Sequence, residues 1–359
     1  MGAKEPMGPM NAVSGALLPK GASMPRPKRE KAAAVPAPKR VIRVAFIGAG
    51  ARAVSSHYTS VRDIPDAEIC AIAELDGEKA RKAAEQFGVR AVYANYREMV
   101  EKERPDVTYA IMPPHHLYDV AAGVLGLGCH LIVEKPPAVT TEQTRQLAIL
   151  ARKKGLLTAV TFQRRYCPVI RTAKKLCEER GPVHSAVATF YKNSLGAGPY
   201  YGGAIDILTS DGIHAVDTLR YLCGGEVVSV ASDVRRLLAE HVTAHYALVR
   251  FSSGATGVLL TNWMTGRRFF TVEIHAPGIS AFADPEEGGR VFADNKAEPL
   301  RRLDPFELAG SKSDYRAFGP YDMNLHFLDC IRRGVQPETS FDDALKTMEL
   351  VDSIYQSQI

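Results

Sequence analysis

The sequence predicts an α/β protein, with a doubly wound parallel sheet in the first half and an α+β region with an antiparallel sheet in the second. Apolar runs alternate with helix-like stretches between residues 41 and 162, at the spacing of βαβ units. Beyond residue 226, β-branched and aromatic runs follow one another closely, joined by turns such as Ser252-Ser253-Gly254, as in antiparallel sheets. The 359 residues, 46% of them apolar, suffice for two domains with their own cores.

The first half opens with the near-continuous apolar run Val41–Ile47, which is typical of a strand buried on both faces. Gly88 and Gly155 directly follow helix-like stretches, where glycine commonly ends a helix. Further strands are predicted over residues 68–73, 106–111, 129–133 and 156–162, and helices up to about residue 62 and over 77–87, 96–103, 116–127 and 140–154.

The second half mixes helices with β runs. Helices are predicted over residues 168–180, 204–223, 319–333 and 342–358, and strands over 183–191, 227–234, 242–251, 256–264, 267–275, 279–283 and 290–293. A glycine-rich loop, residues 196–203, precedes the second of these helices.

Residues 1–40 have a different composition, with seven prolines and no Phe, Tyr or Trp. Such a segment buries too little apolar surface to order itself, so we predict a flexible, basic, Pro/Ala-rich arm. Eight basic and two acidic side chains give the arm a charge of +6, whereas the remaining 37 basic and 38 acidic residues sum to −1. The body therefore offers no positive field for nucleic acid.

The cysteines and the hydropathy bear on the compartment. Six cysteines occur without a C-x-x-C pair, so we expect a reduced, cytoplasmic protein rather than a disulfide-bonded one. No apolar run approaches the ~20 residues that a membrane-spanning helix needs. We also predict no metal site, because no cluster of Cys and His is visible.

The turn after the first strand carries the pattern G-x-G-x-x-G/A in Gly48-Ala49-Gly50-Ala51-Arg52-Ala53. Gly48 permits the tight turn, Gly50 lets a pyrophosphate approach the backbone, and Ala53 keeps the next helix close to the sheet. The start of that helix presents free N–H groups to the phosphates. In a βαβ setting this pattern predicts a dinucleotide-binding Rossmann domain.

An acidic residue, Glu74, ends the second predicted strand. Its carboxylate is placed to accept hydrogen bonds from the adenosine ribose and would repel a 2′-phosphate. The sequence therefore favours NAD, and Arg52 leaves NADP as the weaker alternative.

Two further segments carry candidate chemistry. The strand over residues 129–133 runs into Glu134-Lys135-Pro136-Pro137, at the edge of the sheet where ligands bind. On a helix, Asp211 and His214 lie about 60° apart, so a neutral imidazole could accept an alcohol proton while the carboxylate orients it. A surface ion pair for Lys135 and a structural role for His214 are the simpler interpretations of each segment alone.

Three more residues are candidates for substrate binding. Arg164 and Arg165 follow the last predicted strand of the first half, with a surface salt bridge as the alternative. Tyr201 lies on the glycine-rich loop, where it would stack on a sugar ring or simply pack.

Together these features resemble the Gfo/Idh/MocA oxidoreductase family, named for glucose–fructose oxidoreductase and inositol dehydrogenase. The resemblance covers about residues 41–359. It is carried by Gly48–Ala53, Glu134-Lys135-Pro136, Phe162–Pro168, His214–Asp217 and Phe341–Ala344.

The resemblance implies a Rossmann domain followed by an α+β domain whose large, open, mostly antiparallel sheet often forms subunit interfaces. It implies that Lys135 contacts substrate and nicotinamide and that an Asp–His pair handles the hydroxyl proton. Pro113 and Glu134 are placed with the cofactor-binding residues. We accordingly divide the chain into the arm (1–40), the dinucleotide-binding domain (41–163) and a substrate and oligomerisation domain (164–359), and expect a homodimer or homotetramer.

This sequence departs from the family pattern in two places. The usual aspartate lies four residues before the histidine, where Ser210 stands, and Asp211 lies three before. The family often has Thr-Pro-Asn followed later by a histidine where this chain has Met112-Pro113-Pro114-His115-His116. His116 is either a shifted counterpart or a helix-start residue.

The leading hypothesis is an NAD-dependent oxidoreductase that transfers hydride between nicotinamide and a secondary alcohol of a sugar, sugar derivative or cyclitol. One alternative is a glycoside-cleaving enzyme that retains its NAD through oxidation and elimination. The other is a non-catalytic NAD-binding regulator.

Overall fold

The computed structural model describes residues 40–359. The predicted arm over residues 1–40 therefore lies outside the described residues, apart from Arg40 at its end. Within residues 40–359, none of the helices has the length and apolar character to cross a membrane.

Six parallel strands form the first sheet, in the order β3-β2-β1-β4-β5-β6. They are β1 (Ile42–Ile47), β2 (Ala67–Ala73), β3 (Ala91–Tyr93), β4 (Val107–Ala110), β5 (His130–Val133) and β6 (Thr158–Val160). Five are predicted by their apolar runs, whereas β3 has only three partly exposed residues and carries no pattern. The order reverses between β1 and β4, so their carboxyl ends flank the crevice where such sheets bind ligands.

The helices of this part are α1 (Thr59–Asp63), α2 (Gly77–Phe87), α3 (Tyr96–Glu103), α4 (Pro114–Gly126) and α5 (Thr141–Lys154). Side chains of Asp76 and Thr140 accept hydrogen bonds from backbone N–H groups at the starts of α2 and α5. Gly88 and Gly155 end them with φ of 71° and 66°, as predicted. The first predicted helix differs, because Ala53–Tyr58 forms a π-helical turn before α1.

Eight strands form the second sheet, in the order β14-β13-β12-β11-β7-β10-β9-β8. They are β7 (Ser185–Asn193), β8 (Val227–Arg235), β9 (Ala244–Phe251), β10 (Thr256–Asn262), β11 (Met264–Ala276), β12 (Ile279–Asp284), β13 (Gly288–Ala293) and β14 (Arg301–Leu303). Only β7 and β10 pair in parallel, so the mostly antiparallel sheet is confirmed.

The remaining helices are α6 (Pro168–Glu178), α7 (Ile213–Cys223), α8 (Pro305–Ala309), α9 (Asp314–Ala317), α10 (Pro320–Arg333) and α11 (Phe341–Gln356). The predicted helix over residues 204–223 is only half correct. Its first half is replaced by a 3₁₀ turn, Tyr200–Gly203, and a π-helical turn, Leu208–Gly212.

One face of the second sheet packs against α6, α7 and α11, around the fully buried Trp263 and Phe270. Helix α10 instead packs against the first sheet, where Phe327 lies edge-on to Tyr109. The end of the chain thus returns to the first sheet, and the boundary near residue 163 remains a prediction.

Candidate active site

A cavity of about 720 Å³ opens at the carboxyl edge of the first sheet and extends to the ends of β7 and β11. The predicted site residues that line it are Gly50, Arg52, Ala53, Pro113, Glu134, Lys135, Arg164, Tyr201, Asp211 and His214. The structure therefore brings together residues from both halves of the sequence. Gly48 and Ala49 belong to the glycine turn, of which Gly50, Arg52 and Ala53 line the cavity. Glu74 contacts this turn at Ala49.

The glycine turn has the geometry that its pattern predicts. Gly48 has φ of 101°, and a Cβ there would lie 2.2 Å from the carbonyl oxygen of Ile111, so no other residue fits. A Cβ on Gly50 would meet nothing within 4 Å, because this backbone faces open space. The turn therefore leaves room for a pyrophosphate against the backbone, which fits a dinucleotide.

The Glu74 carboxylate lies beside this turn. It accepts hydrogen bonds from the backbone N–H groups of Ala49 (2.7 Å) and Asp76 (3.0 Å). Arg52 turns away from it and pairs with Glu134, Nε to Oε1 at 3.3 Å. An acidic group thus stands at the predicted ribose position with the nearby arginine engaged elsewhere, an arrangement that fits NAD better than NADP.

Glu134 anchors the loop that carries Lys135. Its carboxylate accepts hydrogen bonds from the hydroxyl of Thr161 and from the backbone N–H of Lys135 (2.8 Å). Burial alone would raise the pKa of Glu134, but Arg52 and Lys135 outweigh burial and hold that pKa below its usual range. The peptide bond between Lys135 and Pro136 is cis. Glu134 thus fixes the backbone from which the Lys135 side chain reaches the cavity.

The Lys135 ammonium lies at the π-helical turn before α7. Its Nζ donates a hydrogen bond to the carbonyl oxygen of Ser210 (2.8 Å) and stands 3.7 Å from Oδ1 of Asp211. The other carboxylate oxygen of Asp211 accepts a hydrogen bond from Lys192 at the end of β7. Burial alone would raise the pKa of Asp211, but these two lysines outweigh it and hold the pKa below its usual value.

The sequence predicts that the Asp211 carboxylate orients the His214 imidazole, and the structure corrects this prediction. Among residues 40–359, the carboxylate makes no hydrogen bond to the imidazole and pairs with the two lysines instead. The physical cause is the π-helical turn Leu208–Gly212, whose wider i→i+5 hydrogen bonding breaks the 100° spacing assumed for an α-helix.

The His214 imidazole lines the cavity with only 6% of the residue exposed. Its Nδ1 is buried and has no hydrogen-bond partner in the described part of the chain. Burial, then the positive charges of Lys135 and Arg164, hold the pKa of His214 well below its ordinary value. The ring is therefore neutral at physiological pH and able to accept a proton.

The side chains of the consecutive residues Arg164 and Arg165 point in different directions. Arg164 lines the cavity and pairs with Glu286, Nη2 to Oε1 at 3.0 Å. Arg165 points the other way, where it is 5% exposed and pairs with Asp217 (2.5 Å) and Asp343 (2.6 Å). The predicted substrate contact of Arg165 is therefore corrected: this side chain joins the 3₁₀ turn Gln163–Tyr166, which precedes α6, to α7 and α11.

Tyr201 has φ of 50° and is half exposed at the cavity rim. Its ring centroid lies 5.7 Å from that of His115, which with His116 opens α4. His116 is exposed and does not line the cavity, so the helix-start interpretation describes its position.

Sequence reasoning missed several cavity residues, and three of them form ion pairs at the site: Lys192, Arg268 and Glu286. Lys192 carried a usable signal, because a lysine directly follows a predicted strand over residues 183–191. Arg268 and Glu286 carried none, since both lie in charged stretches that resemble ordinary surface. No cluster of three or more potential metal ligands occurs within the described residues.

The fold and the glycine turn define a dinucleotide-binding protein. Residues 42–162 match the family described as "Oxidoreductase family, NAD-binding Rossmann fold", and residues 170–278 match the GFO/IDH/MocA C-terminal domain. The chain belongs to the GFO/IDH/MocA oxidoreductase family. The predicted family, enzyme class and NAD-binding fold are thereby confirmed.

Several characterised relatives span most of the chain. D-apiose dehydrogenase from Paraburkholderia graminis is 28% identical over 84% of each chain. scyllo-Inositol 2-dehydrogenase (NAD(+)) from Bacillus subtilis is 25% identical over 86% of this chain and 92% of its own. Among solved structures, levoglucosan dehydrogenase in complex with NADH is similar in fold, with a TM-score of 0.75, 22% identity and coverage of 88% of this chain and 96% of its own.

Proposed function

We propose that this protein is an NAD-dependent dehydrogenase that oxidises a secondary alcohol of a sugar, sugar derivative or cyclitol. The observation that carries the proposal is one cavity in which a lysine ammonium, Lys135, and a neutral imidazole, His214, lie beyond the glycine turn. The apiose and inositol dehydrogenases named above support the substrate class.

The turn from Gly48 to Ala53 would hold the pyrophosphate of NAD, and Glu74 the adenosine ribose. Bound NAD supplies a nicotinamide carbon that accepts hydride from the alcohol carbon. His214 accepts the hydroxyl proton, since its ring is neutral, and the Lys135 ammonium stabilises the developing negative charge on that oxygen. Asp211 holds Lys135 and Lys192 on one side of the cavity, which positions both ammonium groups.

The test is an initial-rate assay of NADH formation over a panel of aldoses, anhydrosugars and inositols. We expect oxidation of at least one, and loss of activity in Lys135→Met with NADH affinity retained. If no member of the panel reduces NAD while a chromogenic glycoside is cleaved without added NAD, the glycoside-cleaving alternative replaces this proposal. If neither reaction occurs and NADH still binds, the regulator alternative does.

We propose further that the protein is a homodimer or homotetramer through the outer face of the second sheet. Apolar side chains on that sheet stay substantially exposed, including Val228 (66%), Leu248 (49%) and Phe282 (40%). Light scattering should report a dimer or tetramer that Leu248→Arg weakens, whereas a monomeric native protein would contradict the assembly.

We also place the protein in the cytoplasm. All six cysteines are free, and five are buried, which supports a reducing compartment. Fractionation of cells that express the full chain tests this location.

A further inference from the structure

The substrate end of the cavity holds more positive than negative charge. Four cationic side chains line it, from Lys135, Arg164, Lys192 and Arg268. Two carboxylates face them there, Asp211 and Glu286. The other charged lining groups are the pair of Arg52 with Glu134 and the exposed Asp314, so the whole lining carries five cationic and four acidic side chains.

The six side chains form two groups, each with one carboxylate and two cationic side chains. Asp211 is shared between two lysines. Glu286 is shared between two arginines, with Arg268 Nη1 at 2.7 Å and Arg164 Nη2 at 3.0 Å from its Oε1. Each group has one carboxylate for two cations, so the surplus is two positive charges.

The group formed by Arg164, Arg268 and Glu286 has a hydrogen-bond donor without an acceptor. The residue is only 6% exposed, and its guanidinium lies 5.0 Å from the centroid of the Phe270 ring. Its Nε is buried and has no hydrogen-bond partner among residues 40–359. Buried donors of this kind are nearly always paired in folded proteins, so the arrangement is short of one acceptor.

Arg268 continues the same surface toward the reacting groups. Its guanidinium lies over the Phe190 ring at 5.6 Å from the centroid, and the Lys192 ammonium lies 5.2 Å from the same centroid. Phe190 is buried between β-strand neighbours and provides a rigid base. The arginine pair therefore stands next to the Lys192–Asp211 group, within the reach of one small ligand.

A neutral polyol would leave this positive field uncompensated once it displaced water. Hydroxyl groups supply acceptors but no charge, whereas carboxylate and phosphate groups match the planar fork of arginine and supply both. Glu286 is 40% exposed on its side chain, so it can share the two arginines with a ligand or swing toward solvent.

We propose that the natural substrate is a sugar or cyclitol with an anionic substituent, a carboxylate or a phosphate, that binds to Arg164 and Arg268 while its hydroxyl meets Lys135 and His214. This inference rests on the proposed dehydrogenase function. It adds that the enzyme prefers a sugar or cyclitol with an acidic group to the same compound without that group.

The experiment compares matched pairs on the full-length enzyme: D-glucuronate with D-glucose, D-galacturonate with D-galactose, and myo-inositol 1-phosphate with myo-inositol. Dissociation constants are measured by titration of the NADH complex, and kcat/KM is measured with NAD. We expect the anionic member of at least one pair to bind about tenfold or more tightly and to have the higher kcat/KM. A preference confined to the uronates identifies a carboxylate, and one confined to the inositol phosphate identifies a phosphate.

Two adjacent arginines give a matched pair of variants. Arg268 lines the cavity, whereas Arg267 pairs with Glu287 and does not line it. Arg268→Gln should reduce the ratio of acid to neutral affinity about tenfold or more, and Arg267→Gln should leave this ratio unchanged. Arg164→Gln should reduce it as well, and both cavity variants should bind NADH as the native enzyme does.

Neutral members that bind and react as well as the acids, or equal ratios in Arg268→Gln and Arg267→Gln, would overturn the anionic substituent and leave the dehydrogenase intact. An enzyme that binds NADH but oxidises neither these six compounds nor any member of the aldose, anhydrosugar and inositol panel would overturn both.

Discussion

Two buried clusters each combine an aspartate with basic side chains, one around Asp217 and the other around Asp211. They differ in how many of their hydrogen-bonding groups are paired. Asp217 accepts hydrogen bonds from Arg165 through both oxygens, at 2.7 and 2.5 Å, and from the hydroxyl of Thr347 at 3.0 Å. Asp211, one and a half turns earlier, is shared by Lys135 and Lys192 at the wall of an open cavity. We interpret the closed cluster as a structural joint and the open one as part of the reaction site.

The difference shows why residue type alone does not identify a site. Arg164 and Arg165 are adjacent, yet Arg164 lines the cavity and has a buried nitrogen without a partner among residues 40–359, whereas the charge of Arg165 is matched by two carboxylates. A cluster with spare hydrogen-bonding capacity next to solvent can bind a ligand, whereas a saturated one holds elements together.

The largest expected effect on stability is that of Asp217→Asn. This change leaves Arg165 buried with only part of its counter-charge, and breaking a buried pair costs about 3–5 kcal/mol. Urea denaturation should show a loss of this size. Asp211→Asn is the matched control and should lose clearly less stability, since its lysines reach the cavity. Equal losses in the two variants would contradict the distinction between the clusters.

A smaller effect, on catalysis alone, is expected for Lys192→Met. Removal of one ammonium from the open cluster should lower kcat/KM about tenfold by releasing Asp211 and Lys135 from their positions. Lys174→Met is a suitable comparison, because Lys174 also pairs with a carboxylate and lies over an aromatic ring but outside the cavity. If both variants lower kcat/KM alike, Lys192 has no special role.

The smallest expected effect concerns the pH profile, in which an inflection at the ordinary pKa of histidine should be absent. Burial and nearby cations hold the pKa of His214 well below its ordinary value, which is about 6.5. The imidazole therefore stays neutral as pH falls through 6.5 and is protonated only further into acid. We expect kcat/KM for a neutral substrate to show no inflection near pH 6.5 and to fall at lower pH. Half-maximal loss at 6.5 would mean that the ring titrates normally.

Much of the fold could be predicted because apolar runs and helix ends are local features. Five of the six strands of the first sheet, the caps at Gly88 and Gly155 and the glycine turn all depend on residues close in sequence. The π-helical turns Ala53–Tyr58 and Leu208–Gly212 could not be predicted, since their residues follow the same apolar spacing as an ordinary α-helix. The predicted pairing of Asp211 with His214 assumes α-helical spacing, whereas Asp211 lies in a π-helical turn and contacts Lys135 and Lys192.

The candidate site was predicted best where it follows strand ends. Lys135 comes two residues after β5 and Arg164 four residues after β6, and both line the cavity. Arg268 and Glu286 belong to the second sheet and its turns, and only the tertiary arrangement of that sheet relative to the first brings them to the same cavity.

The measurement that tests the central claim most directly is the single-turnover rate of His214→Asn with NAD and a substrate of the native enzyme. General-base catalysis contributes typically 10²–10⁴-fold, so NADH formation should slow by about that factor, with NADH affinity and unfolding free energy close to native. A single-turnover rate within a few-fold of the native one would contradict the claim that this imidazole accepts the proton.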